Sequence, residues 1–319
     1  MKINSISISG LLTLNMHALN NEGSEGNYLQ TRMVEIVDEK GIAHSVNAIS
    51  GDMFKHIQAD HLYSLAREEN ISLCDGCSKD NPNRINVDSG FVQGFSEGAK
   101  DAEILDKLLE KCAGDDIEGI LITQEIGKKK RAIGRKSIIE FGWAVGEPEK
   151  TKTESYFHVK FDQTERASGR GDESTGANIG QNIFHRPASS GRYAIILNAD
   201  LCRIGFNDIT CTYSIDTEER KRRTAIALKS ILAAILKPAG AHRNTQNPHI
   251  VNFQGCITAS SSMLPAPTVS ALNENYLGEI DGICITLNEL SPNSITKWDF
   301  NSLNEFASKI KEIIESIEI

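Results

Sequence analysis

Apolar residues of one parity, Ile6, Ile8, Leu12 and Leu14 with Gly10 in register, predict a half-buried strand over residues 3–16. Runs at 33–37 and 42–49 flank Asp38-Glu39-Lys40-Gly41, turn residues that predict a hairpin. Alternation then gives way to a helical period, and Ser50 reads as the N-cap of a helix reaching about Asn70. A second helix is expected from Ser96. It buries Ala102, Leu105, Leu109 and Cys112 and ends at Gly114, and an irregular link over 71–94 precedes it.

Further strands are expected at 117–123, 137–145 and 154–161, the last with Phe157, Val159 and Phe161 on one face. Residues 164–192 are polar and punctuated by glycine, the pattern of a long functional loop. Strand character returns at 193–202. An amphipathic helix then begins at Asp216-Thr217, carries Ala225, Leu228, Leu232 and Ile235, and stops at Pro238 and Gly240. Strands at 250–257 and 282–287 and a closing helix through Phe300, Leu303, Phe306, Ile310, Ile313 and Ile317 complete the pattern. This order fits an α+β fold, a modified ferredoxin-like core with large insertions. A doubly wound α/β sheet is the alternative, but no glycine-rich nucleotide fingerprint lies between a strand and a helix.

With 319 residues, 39% of them hydrophobic, the chain can bury one large core plus a sizeable insertion. No stretch approaches the ~20 apolar residues that cross a bilayer, and the first residues lack the layout of a secretory signal. A cytoplasmic protein that does not engage membranes is expected, its seven cysteines reduced. The net charge of −9 opposes indiscriminate nucleic-acid binding. Distribution qualifies the sum: Lys128, Lys129, Lys130, Arg131, Arg135 and Lys136 lie within 127–136 with no acidic residue among them.

Cys74-Asp75-Gly76-Cys77 has the spacing of a zinc knuckle, yet no second Cys-x-x-Cys pair completes four ligands, and His56 and His61 fall on different helical faces. No metal or cofactor is expected. No serine sits in a hydrolase elbow, while His17, His56 or His185 beside a cation would suit a metal-independent ribonuclease. The nucleic-acid reading rests on the helix start with Ser50, Lys55, His56 and Gln58, the basic tract, the arginine-bearing segment 164–192 and the loop with Arg243 and Gln246. Phe184 and His185 are bulky groups in a polar segment, suited to wedging between bases or to anchoring the loop.

Several stretches carry a resemblance: Ile8-Ser9-Gly10, the run Asn15 through Gly23, Gln30-Thr31-Arg32, the run Asn47 through His56, Glu140-Phe141-Gly142-Trp143, and His185 through Gly191. They resemble the DevR-like backbone subunits of type I CRISPR Cascade complexes, with subtype I-B the nearest in appearance. The resemblance implies a non-catalytic protein that oligomerises along a CRISPR guide RNA and supports target DNA recognition. Its implied partners are the guide RNA, target DNA, further copies of itself and the cap, large and small Cascade subunits. It implies an RNA-recognition-motif-like palm (1–60 and 115–319), a helical finger (61–114) and a thumb (164–192). It places guide contacts on Asn20, Arg32, Ser50, Lys55, His56, Gln58, Arg243 and Gln246, and base-step separation on Phe184, His185 and Arg186. Lys129, Arg131 and Arg135 would lie near the guide or the displaced strand. A stand-alone nucleic-acid-binding regulator and the ribonuclease remain the alternatives.

Overall fold

A computed structural model describes residues 2–20, 23–161, 181–240 and 244–318. The first strand, β1 (Ser5–His17), lies inside a mixed-order antiparallel sheet rather than at its edge. The other principal strands are β2 (Met33–Val37), β3 (Ala43–Ile49), β4 (Ala144–Phe161), β5 (Gln181–Ala199), β6 (His249–Ser260) and β7 (Ile295–Phe300). They hydrogen-bond in the order β7-β6-β1-β5-β4-β3-β2. The long helices are α1 (Gly51–Glu68), α2 (Asp101–Lys111), α3 (Thr217–Leu236), α4 (Tyr276–Leu290) and α5 (Leu303–Ser316).

The alternation in β1 serves two buried faces. Ile6, Ile8, Leu12 and Leu14 join one core with Phe54 and Leu62 of α1, Leu228 and Ile231 of α3, and Phe306 and Ile310 of α5. On the opposite face Leu11 packs with Tyr276, Ile280 and Cys284 of α4. The strand is therefore buried on both faces from Ile6 to Leu12, with Met16 exposed near its end, and its serines are satisfied by the covering segment. Ser7 Oγ donates to the Ala266 carbonyl at 2.9 Å, and Ser9 Oγ lies 2.7 Å from Thr268 Oγ1.

The 33–37 and 43–49 hairpin forms, and Ser50 caps α1 by accepting from the Met53 amide at 3.2 Å. Other expectations fail for identifiable reasons. Residues 282–287 belong to α4, because Ile280 and Cys284 recur at helical spacing on its buried side; the short apolar run fitted either period. The last edge strand, β7, takes Phe300 out of the expected closing helix. α2 starts at Asp101 instead of Ser96, and Gly114 lies inside a short helix, Ala113–Glu118, that displaces the start of the expected 117–123 strand to Ile120. The 137–145 strand breaks at Gly142-Trp143, between Ile139–Phe141 and β4.

Residues 181–192 form strand, not loop, so β4 and β5 make one long hairpin, paired from Val145–Ala194 to Phe161–Gln181. The remainder of the 164–192 segment lies outside the described residues. Phe157 and Val159 are exposed on this hairpin rather than buried in the sheet core.

Residues between α1 and the sheet build a second core: Ile85, Phe91, Leu105, Leu109, Ile122 and Ile133 pack together under Tyr63 of α1. This lobe contains the basic tract, which folds into two small antiparallel pairs, Ile120–Ile122 with Ile133–Arg135 and Glu125–Ile126 with Lys129–Lys130. Among the described residues, no helix is long and apolar enough to cross a membrane.

Candidate nucleic-acid interface

The β4–β5 hairpin gathers rings on both of its faces and an arginine on one, because paired residues alternate sides along the ladder. On one face His185 stacks on Tyr28, centroids 4.1 Å apart at an interplanar angle of 4°, and meets the edge of Phe157 at 5.7 Å. The stack is fixed by backbone, since the His185 amide donates to the Asn27 carbonyl at 2.8 Å. On the other face Phe184 stacks on His158 at 5.7 Å, and the Arg186 guanidinium lies 4.8 Å from the Phe184 ring centroid. Arg186 Nη1 reaches Thr245 Oγ1 at 3.2 Å, and Gln246 Nε2 donates to the Pro187 carbonyl at 3.0 Å. The loop through Gln246 is thereby tied to the hairpin; Arg243 lies outside the described residues. Tyr28 and Phe157 stay exposed, so this face presents ring surface with hydrogen-bonding imidazole beside it.

At the base of the hairpin the Arg32 guanidinium lies 4.9 Å from the Trp143 ring centroid, and Trp143 remains exposed. A buried relay holds this base together. His17 Nε2 lies 2.8 Å from Tyr193 Oη, and Tyr193 donates to Asn47 Oδ1 at 2.8 Å. Asn47 Nδ2 donates in turn to Thr31 Oγ1 and to the Arg32 carbonyl. With Tyr193 donating to Asn47, His17 is assigned the Nε2–H tautomer. Burial holds its pKa down to about 4, so the ring is neutral near pH 7.

The helix start is organised differently from expectation. Asn20 is buried, accepting from the Ser50 amide at 3.2 Å and donating to the Ala48 carbonyl, and Ser50 spends its hydroxyl on the α1 cap. Both residues shape the strand-to-helix turn. Lys55 turns inward to the Ile139 carbonyl at 2.9 Å and to Glu118 at 2.5 Å, with burial pushing its pKa down and Glu118 opposing that shift. Gln58 is fully buried and donates to Ser230 Oγ at 2.8 Å, joining α1 to α3. His56 alone of this group is exposed, with Asp60 at 3.6 Å.

The basic tract also divides. Arg131 is buried among the Ile126 and Ala99 carbonyls and Asp101, 2.6 Å away. Arg135 is fully enclosed, with Asp116 at 2.7 Å and the Phe206 and Arg203 carbonyls as acceptors. Arg131 holds the lobe together, Arg135 ties it to residues 203–208, and neither offers a surface to a ligand. Lys129 and Lys130 are exposed on their small hairpin.

Sequence reading missed Tyr28, His158 and Trp143. Alternation at 156–159 was legible, but an exposed ring and a core ring have the same one-dimensional signature. It also missed that Cys112-Ala113-Gly114-Asp115 repeats the spacing and the glycine of Cys74-Asp75-Gly76-Cys77.

Residues 8–281 match the family described as CRISPR-associated negative auto-regulator DevR/Csa2. A CRISPR-associated protein Cas7/Cst2/DevR of Methanocaldococcus jannaschii is 22% identical over 320 residues, covering 97% of this chain and 98% of that protein. A CRISPR-associated protein Cas7/Csa2 of Saccharolobus solfataricus is 24% identical over 287 residues, 85% of this chain and 84% of that one. Among solved structures, a chain of a pre-nicking CRISPR RNA-guided surveillance complex superimposes with a TM-score of 0.53 at 11% identity, covering 98% of this chain and 100% of that chain, a likeness of fold. With residues 8–281 matched, this chain belongs to the DevR/Csa2 family of CRISPR-associated proteins.

Proposed function

We propose that this protein is a non-catalytic guide-RNA-binding backbone subunit of a type I CRISPR interference complex, of subtype I-B. The observation that carries the reading is the two-faced hairpin, with Tyr28, Phe157 and His185 on one side and His158, Phe184 and Arg186 on the other. Rings stack on any base, and Arg186 and Arg32 add charge without reading base edges. A guide of variable sequence needs contacts of this kind, because its base edges must stay open to the target.

In this reading the large sheet with α1 and α3 is an RNA-recognition-like palm, residues 61–114 are a finger, and the hairpin with 164–192 is a thumb that separates guide bases and reaches the next copy. The contact set is Arg32, His56, Lys129, Phe184, His185, Arg186, Arg243 and Gln246, joined by Tyr28, Phe157 and Trp143. Asn20 and Ser50 shape the adjoining turn, and Lys55 is paired inward with Glu118. Gln58, Arg131 and Arg135 support the fold. The family description favours one second reading, a stand-alone regulator. Assembly on RNAs of graded length separates the two. A backbone subunit adds copies in proportion to RNA length, alone or with its partner subunits; a regulator binds with fixed stoichiometry whatever the length.

A further inference from the structure

The base of the helical lobe holds a cluster unrelated to the hairpin. The Sγ atoms of Cys74, Cys77 and Cys112 and a carboxylate oxygen of Asp115 all lie within 4.8 Å of one another, and all four residues are fully buried. Cys74 Sγ is 3.2 Å and Cys77 Sγ 3.7 Å from Asp115 Oδ2. Asp115 Oδ1, equally buried, has no hydrogen-bond partner among the described residues. An ionised carboxylate enclosed with thiols and left half unsatisfied is unfavourable unless a cation or a proton accompanies it.

The backbone is arranged for a cation. The Cys77 amide points at Cys74 Sγ at 3.4 Å, and the Asp115 amide points at Cys112 Sγ at 3.3 Å, donors suited to thiolates. A glycine precedes the last ligand of each pair, and neither tolerates a side chain. A Cβ at Gly76 would lie 2.1 Å from the Arg84 carbonyl oxygen. One at Gly114 would lie 2.7 Å from the Tyr63 ring and 3.0 Å from Cys77 Sγ.

We propose that Cys74, Cys77, Cys112 and Asp115 form a structural zinc site. Zinc–sulfur bonds of about 2.3 Å set ligand separations near 3.8 Å in a tetrahedron, so the cluster closes on the ion by about 1 Å at most. Four protein ligands leave no position for water, which makes the site structural rather than catalytic. A four-iron cluster would need ligands splayed around a much larger body. On binding, each protonated thiol that becomes a ligand releases its proton to solvent. The ion ties the short helix Asp75–Ser78 to the helix Ala113–Glu118, and thus the chain after α1 to the chain after α2.

The test is metal analysis of the full chain purified under reducing conditions without added metal, with cobalt(II) titration of the chelator-stripped protein. The expected results are about one zinc per chain and the visible bands of a tetrahedral cobalt(II) thiolate. Cys112→Ser should fall below about a fifth of an equivalent, while Asp115→Cys should keep the zinc and strengthen the thiolate-to-cobalt absorption. Cys211→Ser, at an exposed site, should change neither. The proposal is overturned if the reduced wild-type chain carries no zinc and gives no cobalt bands, if Cys112→Ser retains a full equivalent, or if Cys74 and Cys77 prove to be a disulfide in anaerobically handled protein. The cobalt spectrum of wild type decides the matter even if a ligand variant fails to fold.

Discussion

The His185 imidazole lies flat on the Tyr28 ring, 4.1 Å centroid to centroid, and so joins a short segment after β1 to the middle of a hairpin more than 150 residues later in the chain. Tyr28 pairs with His185 in the sheet, so the stack has a backbone frame and is not a chance surface contact.

If these rings receive guide bases, removing one costs RNA affinity and little stability. Tyr28→Ala and Phe157→Ala are each expected to weaken single-stranded RNA binding about tenfold, from stacking worth about 1–3 kcal/mol per base. Fluorescence anisotropy measures the affinity and urea unfolding the fold. Equal affinity for both variants and wild type would remove the hairpin from the interface.

The two halves of the basic tract should respond differently to substitution. Replacing Lys129 and Lys130 together by glutamate should reduce the slope of log affinity against log salt by about 1.4, with the fold intact, since each phosphate contact on a single strand contributes about 0.7. Arg135→Ala should instead unfold the lobe. Asp116 sits between the fully buried Arg135 and Arg223, at 2.7 Å and 3.0 Å, so Asp116→Ala removes the buried carboxylate they share, leaves them only the partly exposed Asp208 at 3.0 Å and Glu219 at 2.9 Å, and should cost about 3 kcal/mol. Urea midpoints of the two classes of variant check the contrast.

Lys55 is a further place where burial redirects a cation. Its partner Glu118 is fully buried, so Lys55→Glu sets two carboxylates together and should destabilise the protein by about 3 kcal/mol or more, with any loss of RNA binding following the loss of fold. The double exchange Lys55→Glu with Glu118→Lys should recover part of that loss. Wild-type stability in the single variant would mean the pair is not formed in solution.

His17 gives the fold a specific pH dependence. Its folded pKa, about 4, lies below the ordinary 6.5, so the folded chain refuses a proton that the unfolded chain accepts between those values. The stability contributed by this site is complete above pH 6.5 and is lost as pH falls toward 4. The difference amounts to about 3 kcal/mol, at about 1.4 kcal/mol per pH unit. Urea unfolding from pH 7 to pH 4 should show this slope, and His17→Gln should flatten it by one proton.

Much of the framework was legible in the residues. Parity placed β1, turn chemistry placed the β2–β3 hairpin, and Ser50 placed the start of α1, because each signal is local. Signals that depend on partners distant in sequence were not legible. Gln58 and Arg135 look like surface donors until Ser230, Asp116 and Arg203 are brought to them by the fold. Phe157 reads as core until β5 proves to be its only long neighbour on that stretch of the described sheet. The four candidate zinc ligands lie in two short segments about 40 residues apart, and only the packing of two short helices unites them.

The central claim is that this chain binds and lines a guide RNA. The most direct measurement is purification after co-expression with a CRISPR guide and the companion subunits, with the co-purifying RNA sequenced and the particle mass determined. The account predicts guide-derived RNA protected at regular intervals, in an assembly whose mass grows with guide length. An RNA-free monomer recovered from the same cells would contradict it.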